Sequence, residues 1–120
     1  MTTASPPHTE VRFTPEFKRN LHALSKKYRH IRSDLEPIIE RLRDGHRPGD
    51  QIPGVAYAVY KVRVRNRDAG KGTRGGYRLL YYVATPTAVI LVTVYSKSEQ
   101  ADISAARIRR IIREYDDANL

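Results

Sequence analysis

The side chains of this sequence that could do chemistry are cations and tyrosines in three short segments. They are, in chain order, Lys61, Arg63, Arg65, Arg78, Tyr82, Tyr95 and Lys97. Clustered cations stabilise the negative charge that develops at phosphorus in a transition state, and arginine binds phosphate through a planar pair of N–H groups. Tyrosine rings stack on bases or carry a transferable proton. These residue types therefore point to binding or cleavage of a nucleic acid.

The charge distribution points to the same kind of partner. The 120 residues carry a formal charge of +9, and residues 61–97 contain eight basic side chains and only one acidic one. Ordinary solvent-exposed faces mix both signs, so this segment is predicted to hold a surface for a polyanion. The alternative is that the alternating lysine and arginine side chains only form a water-exposed sheet face and bind no partner.

The composition also excludes several classes of protein. The length fits one domain. The absence of cysteine rules out disulfides, cysteine–zinc sites, iron–sulfur clusters and thiol chemistry. The four histidines lack metal-ligand spacing, so we expect no metal and no cofactor. The longest apolar run, residues 88–92, cannot span a bilayer, and residues 1–9 lack an apolar leader core, so we expect a cytoplasmic protein with no membrane partner.

Hydrophobic periodicity predicts the elements that must position these side chains. Thr14-Pro15-Glu16 is typical of a helix start, and Ser33 to Glu36 has the spacing of a capping box. The predicted elements are a disordered tail over residues 1–9, a strand over 11–13, a helix to about 28, a helix from 33 to 45, a loop over 46–56, strands over 57–65, 77–83 and 88–95, and a last helix that begins between 98 and 104.

This β-α-α-β-β-β-α order predicts a single α+β domain over residues 10–120. The three consecutive strands form an antiparallel meander, and the helices are expected on one face of the sheet because their apolar stripes must be buried. The other face would then present the cations with tyrosines between them. Five tyrosines are expected to be structural, namely Tyr28, Tyr60, Tyr77, Tyr81 and Tyr115. For Tyr82 and Tyr95, both a functional and a core position remain open.

The motifs resemble those of the RelE/ParE superfamily of bacterial toxins from type II toxin–antitoxin systems, most closely its HigB-like branch. The resemblance covers about residues 10–115 and rests on the order of several short motifs. They are Lys61-x-Arg63-x-Arg65, Lys71, Arg74-Gly75-Gly76-Tyr77-Arg78-x-x-Tyr81-Tyr82 and Tyr95-Ser96-Lys97. Two positions depart from RelE, since Ser98 replaces an arginine and Ser104 lies where RelE has a tyrosine.

The resemblance implies a curved antiparallel sheet and a ribosome-dependent mRNA endonuclease that a cognate antitoxin holds inactive. In such enzymes the RNA 2′-OH attacks the adjacent phosphate without a histidine pair or a metal. Arg63 and Arg78 would stabilise the transition state, and Lys61, lying among cations, would act as the base, with Lys97 as the other candidate. Tyr95 or Tyr82 would stack on a base or donate a proton. The RNA backbone would be held by Arg65, Lys71 and Arg74.

Two other functions remain open. A ParE-like protein would poison DNA gyrase, although the dense set of cations on the sheet favours RNA cleavage. A non-enzymatic module would use the same basic face for affinity alone, and its binding would weaken steeply with salt.

Overall fold

A computed structural model describes residues 8–69 and 75–119 of the chain. Within these residues the elements are β1 (Glu10–Phe13), α1 (Pro15–Lys27), α2 (Ile31–Arg43), β2 (Asp50–Gln51), β3 (Val59–Val64), β4 (Tyr77–Thr85), β5 (Ala88–Ser96) and α3 (Ala105–Ala118). The predicted α+β class and the order of the main elements are confirmed. The two-residue strand β2 lies in the segment predicted as a loop.

The strands form one sheet in the order β1-β5-β4-β3-β2. The predicted meander of β3, β4 and β5 is antiparallel throughout, and β2 adds to it at one edge. At the other edge β1 pairs with β5 in parallel, and the long connection that such a pair needs contains α1, α2 and the strands β2 to β4. The edge strands are therefore β1 and β2, and the interior strands are β5, β4 and β3.

Helix capping was predicted correctly at α1 and incorrectly at α2. The Thr14 hydroxyl accepts a hydrogen bond from the Phe17 N–H at 3.0 Å, as the sequence indicates. The predicted capping box at Ser33 is wrong, since the Ser33 hydroxyl donates to the His30 carbonyl oxygen and α2 begins at Ile31. Ile31 is fully buried, so the earlier start places another apolar side chain against the core.

Thr9, assigned to the tail in the sequence analysis, is instead buried. Its backbone N–H donates to the Arg43 carbonyl oxygen at 2.9 Å, next to the end of α2. A buried N–H needs such a partner, so the ordered chain includes Thr9. Of the remainder of the predicted tail, His8 is exposed and residues 1–7 lie outside the described residues.

The expectation that all helices cover one face of the sheet is wrong for α3. Leu79 packs in the cluster that contains the α1 and α2 side chains, whereas its neighbour Leu80 packs with Ile108 and Ile112 of α3. Successive strand residues point to opposite faces, so α3 covers the face that α1 and α2 leave open. The sequence signal was the continuous apolar run of β5, because a strand buried on both faces does not alternate.

The tyrosines expected to be structural lie mainly in the first of these clusters. Tyr77 and Tyr81 are fully buried and Tyr28 nearly so. The Tyr28 and Tyr77 rings meet edge to face with centroids 5.8 Å apart, and the Tyr60 ring stacks on that of Tyr81 at 5.3 Å. These rings fill the space between the helical hairpin and the sheet, which confirms their structural assignment.

Gly49 allows the loop after α2 to pass close to β3, and this contact gives a test of the fold. Its φ is +92°, and a Cβ there would collide with the Lys61 carbonyl oxygen and lie 2.8 Å from Val62 Cγ2. Gly45 has nearly the same φ, +94°, but open space around it. We expect Gly45→Ala to cost about 1 kcal/mol for the left-handed backbone, and Gly49→Ala to cost about 2–4 kcal/mol. Chemical denaturation measures both, and equal losses would contradict the close approach.

Candidate functional site

The strand register gathers the predicted catalytic residues on one face of the sheet. Arg63 pairs with Arg78 across β3 and β4, and Arg78 pairs with Tyr95 across β4 and β5. Directly opposed residues share a face, and Lys61 lies two positions before Arg63 on that same face. This is the face that α3 covers farther along the strands.

The carboxylate of Asp102 is the point at which three of the polar side chains meet. Its Oδ1 atom accepts a hydrogen bond from the Tyr95 hydroxyl at 3.1 Å. The same oxygen lies 3.4 Å from Lys61 Nζ and 3.4 Å from Lys97 Nζ. We call these four residues the Asp102 cluster. It joins β3, β5 and the segment that leads into α3.

The sequence analysis missed Asp102. The residue lies in an irregular segment, and it reaches the cluster because the chain turns back after β5, where the Gln100 N–H donates to the Ser96 carbonyl oxygen at 3.1 Å. No spacing rule indicates such a return. The expectation that Lys61 lies among cations is therefore incomplete, since Lys61 also forms an ion pair with the Asp102 carboxylate.

Tyr95 combines a buried ring with a hydroxyl at the cluster. Only 3% of the residue is exposed, and the ring packs in the α3 core. Burial, together with the hydrogen bond to Asp102 and the charge of that carboxylate, raises the pKa of Tyr95 to about 12. The same hydrogen bond, followed by the charge of Lys61, lowers the pKa of Asp102. At neutral pH Tyr95 is therefore a protonated hydroxyl and Asp102 a carboxylate, so Tyr95 can donate a proton but cannot accept one.

Arg78 is a nearly buried cation on β4, beside the Asp102 cluster. With Arg63, which lies opposite it on β3, it forms the arginine row. It is 5% exposed, and its Nη1 donates to the Tyr77 carbonyl oxygen at 3.2 Å. Arg63, its partner on β3, is exposed to solvent. The two guanidinium groups therefore offer one buried and one solvent-exposed positive charge on the same face of the sheet.

The predicted RNA-binding residues lie farther from the cluster or outside the described residues. Arg65 is exposed just beyond the end of β3. Tyr82 is half-buried against the α3 core, where its ring meets that of Tyr57 edge to face at 5.3 Å, so the fold does not bring it to the Asp102 cluster. Lys71 and Arg74, with most of the glycine-rich segment around them, lie outside the described residues.

The start of the β3–β4 connection is anchored on α2. The Asp68 carboxylate accepts hydrogen bonds from the His30 backbone N–H at 2.8 Å and lies 2.7 Å from His30 Nδ1. Arg67 Nε donates to the Asp34 carboxylate at 2.8 Å. These contacts hold the chain in place immediately before the segment that carries Lys71 and Arg74.

Residues 8–69 and 75–119 contain no group of three histidine or acidic side chains that could hold a metal ion. In the same residues, no helix is both long and apolar enough to cross a membrane.

The fold is that of the RelE-like α+β class. A free-state structure of a double arginine-to-alanine mutant of Escherichia coli toxin RelE matches with a TM-score of 0.52 and 17% identity, and covers 94% of this chain and 99% of that one. TrmO from Pseudomonas aeruginosa matches with a TM-score of 0.47 and 15% identity, over 77% of this chain. The chain spans 37% of that TrmO structure.

The family itself is established by sequence. The family model for the ParE toxin of the parDE type II toxin–antitoxin system matches residues 11–101. The chain belongs to this family and is a type II toxin of the ParE/RelE kind, for which the family implies an antitoxin partner. The superfamily suggested by the sequence motifs is thereby confirmed.

The electrostatic coupling between Tyr95 and Asp102 can be measured directly. Asp102→Asn removes the negative charge that opposes the phenolate, so we expect the pKa of Tyr95 to fall from about 12. It should stay above the ordinary value of about 10, because burial is the larger cause. A pH titration of the tyrosine Cζ resonances by NMR, with Tyr95→Phe for assignment, measures the shift. An unchanged pKa would show that the hydroxyl and the carboxylate do not interact.

Proposed function

We propose that this toxin is an endoribonuclease that cleaves mRNA on the ribosome and so inhibits translation. The observation that carries the proposal is the convergence of Lys61, Lys97 and a protonated Tyr95 on one point, beside the Arg63–Arg78 row. Cations and a proton donor on one sheet face suit the cleavage of a phosphodiester without a metal.

The arginine row supplies the electrostatic part of the mechanism. When the RNA 2′-oxygen attacks the adjacent phosphorus, negative charge builds up on the phosphoryl oxygens. Arg78 is held in place by burial and Arg63 lies opposite it, so positive charge stands ready at that point. Charge that is fixed in advance needs no reorganisation during the reaction.

Tyr95 and Lys61 supply the proton transfers in this proposal. Lys61 removes the proton from the 2′-OH, the 2′-oxygen bonds to phosphorus, and the bond from phosphorus to the 5′-oxygen breaks. Tyr95 gives its proton to the departing 5′-oxygen, which leaves a 2′,3′-cyclic phosphate and a 5′-hydroxyl. The Lys61 side chain that pairs with Asp102 is an ammonium group, so it can act as the base only after it has left that pair and given its own proton to solvent. Lys97, at the same distance from Asp102, is the other candidate for the base.

The remaining predicted residues would bind the substrate. Arg65, Lys71 and Arg74 follow or lie within the β3–β4 connection, and they would hold the RNA backbone. Tyr82 would contribute to base stacking only if its ring left the contact with Tyr57. The mRNA and the ribosome are therefore the proposed partners besides the antitoxin.

Primer extension on a defined mRNA in a reconstituted bacterial translation reaction tests the proposal. Wild type should cut only when ribosomes are present. Lys61→Ala and Tyr95→Phe should each slow cleavage by about 100-fold or more, since each removes a proton-transfer group. Lys26→Ala, which removes an exposed cation from α1, is the matched control and should cut at the wild-type rate. Arg78→Ala should also abolish cleavage, and its circular dichroism spectrum shows whether the fold survives.

Two outcomes would redirect the assignment. Wild-type cleavage by both Lys61→Ala and Tyr95→Phe would mean that the reaction occurs elsewhere. Binding of RNA without any cutting, with an affinity that falls steeply with salt, would indicate a non-enzymatic module.

The family match favours a second candidate function, the poisoning of DNA gyrase, because the matching model is that of ParE toxins. A supercoiling assay with purified gyrase tests it. If gyrase is the target, supercoiling stops at toxin concentrations that leave translation intact, and Tyr95→Phe inhibits as well as wild type does.

A further inference from the structure

The Asp102 cluster has the arrangement of an anion site that the chain fills with its own carboxylate. Two ammonium groups and a hydroxyl, from β3, β5 and the turn after it, point at a single oxygen atom, Asp102 Oδ1. An oxygen of a phosphate group accepts the same three donors. Nothing in the packing of the core requires a carboxylate at this point, because the Asp102 side chain is 57% exposed.

Given the RNA-cleaving function proposed above, we propose that the Asp102 carboxylate occupies the position of the substrate phosphate in the free toxin and must swing out before RNA binds. The residue stands in an irregular segment between β5 and the Ser104 cap of α3, so its side chain can rotate while both elements stay in place. The two lysine side chains are about one-third exposed, and a phosphate can reach them from solvent.

The strength of the contacts fits a carboxylate that can be displaced. Exposed ion pairs contribute little individually, because water and salt screen them. A polynucleotide brings several phosphates, and its binding releases counterions, so it can compete with one carboxylate. The carboxylate therefore lowers the affinity of the free toxin for RNA without closing the site.

Glu99 provides a matched control for the removal of this negative charge. It lies three residues before Asp102, is also partly exposed, and pairs with Lys27 of α1 at 3.5 Å. Asp102→Asn and Glu99→Gln change the net charge equally, but only the first removes the anion from Lys61 and Lys97. A general gain in positive charge would affect both variants alike.

The decisive experiment measures the binding of a short single-stranded RNA that carries 2′-O-methyl groups and so lacks the attacking hydroxyl. Fluorescence anisotropy with the full chain gives Kd for wild type and both variants. We expect Asp102→Asn to bind about 3- to 30-fold more tightly than wild type, as the loss of two weak ion pairs predicts, and Glu99→Gln to stay within about 2-fold. Equal tightening in both variants, or none in Asp102→Asn, would overturn the inference.

A second measurement locates the effect at the lysines. Inorganic phosphate is titrated into the protein while the lysine Cε resonances are followed by NMR. In Asp102→Asn the Lys61 and Lys97 signals should shift and saturate at a phosphate concentration at least about 3-fold lower than in wild type. If neither lysine responds in either protein, the cluster is not a phosphate site.

Binding and cleavage separate this inference from the proposed function. If Asp102→Asn binds RNA more tightly but no form of the toxin cuts mRNA, the blocked anion site stands and the nuclease function fails. If wild type cuts mRNA while Asp102→Asn binds no more tightly and cuts more slowly, Asp102 is instead a positioning residue for Tyr95, and the inference fails alone.

Discussion

The register of β4 between β3 and β5 is the constraint on which the core and the candidate site both depend. One set of β4 side chains, Tyr77, Leu79 and Tyr81, packs under the helical hairpin, and the alternate set begins with Arg78 and Leu80. A shift by one residue would exchange the two sets, placing Arg78 under the hairpin and Leu79 in the arginine row. This register requires glycine at position 76, because a Cβ there would collide with the Val64 carbonyl oxygen of the neighbouring strand.

The same register also sets two like charges against each other. Arg63 and Arg78 stand directly opposite each other, and like charges in such a pair destabilise a sheet. Arg78 also loses most of its hydration, since it is 5% exposed, and its hydrogen bond to the Tyr77 carbonyl oxygen offsets part of that cost. A sequence selected for stability alone would place apolar or oppositely charged residues there. Local conflicts of this kind concentrate at functional sites, and a polyanionic ligand would relieve the repulsion.

The extent to which sequence predicted this molecule depends on whether a feature is local. Period-two alternation located β3, and the Thr14-Pro15 start located α1, because each pattern lies within one element. The side of the sheet that α3 covers was predicted wrongly, since it depends on the direction that the irregular connection takes after β5. The start of α2 was missed because burial of Ile31 outweighed the capping preference of Ser33.

The electrostatics of the site also depend on a residue that is not local in sequence, Asp102. The net charge of +9 describes how the whole molecule attracts a polyanion through solvent, over a distance that salt limits to about 10 Å. At contact distance the centre of the cluster is an anion, which summed charges along the sequence do not reveal. Tyr95 connects the core to this cluster. The burial that fixes its ring in the core also raises the pKa of the hydroxyl that contacts Asp102. The core and the site are therefore joined through one side chain, and a change in the packing of α3 should alter the chemistry of the cluster.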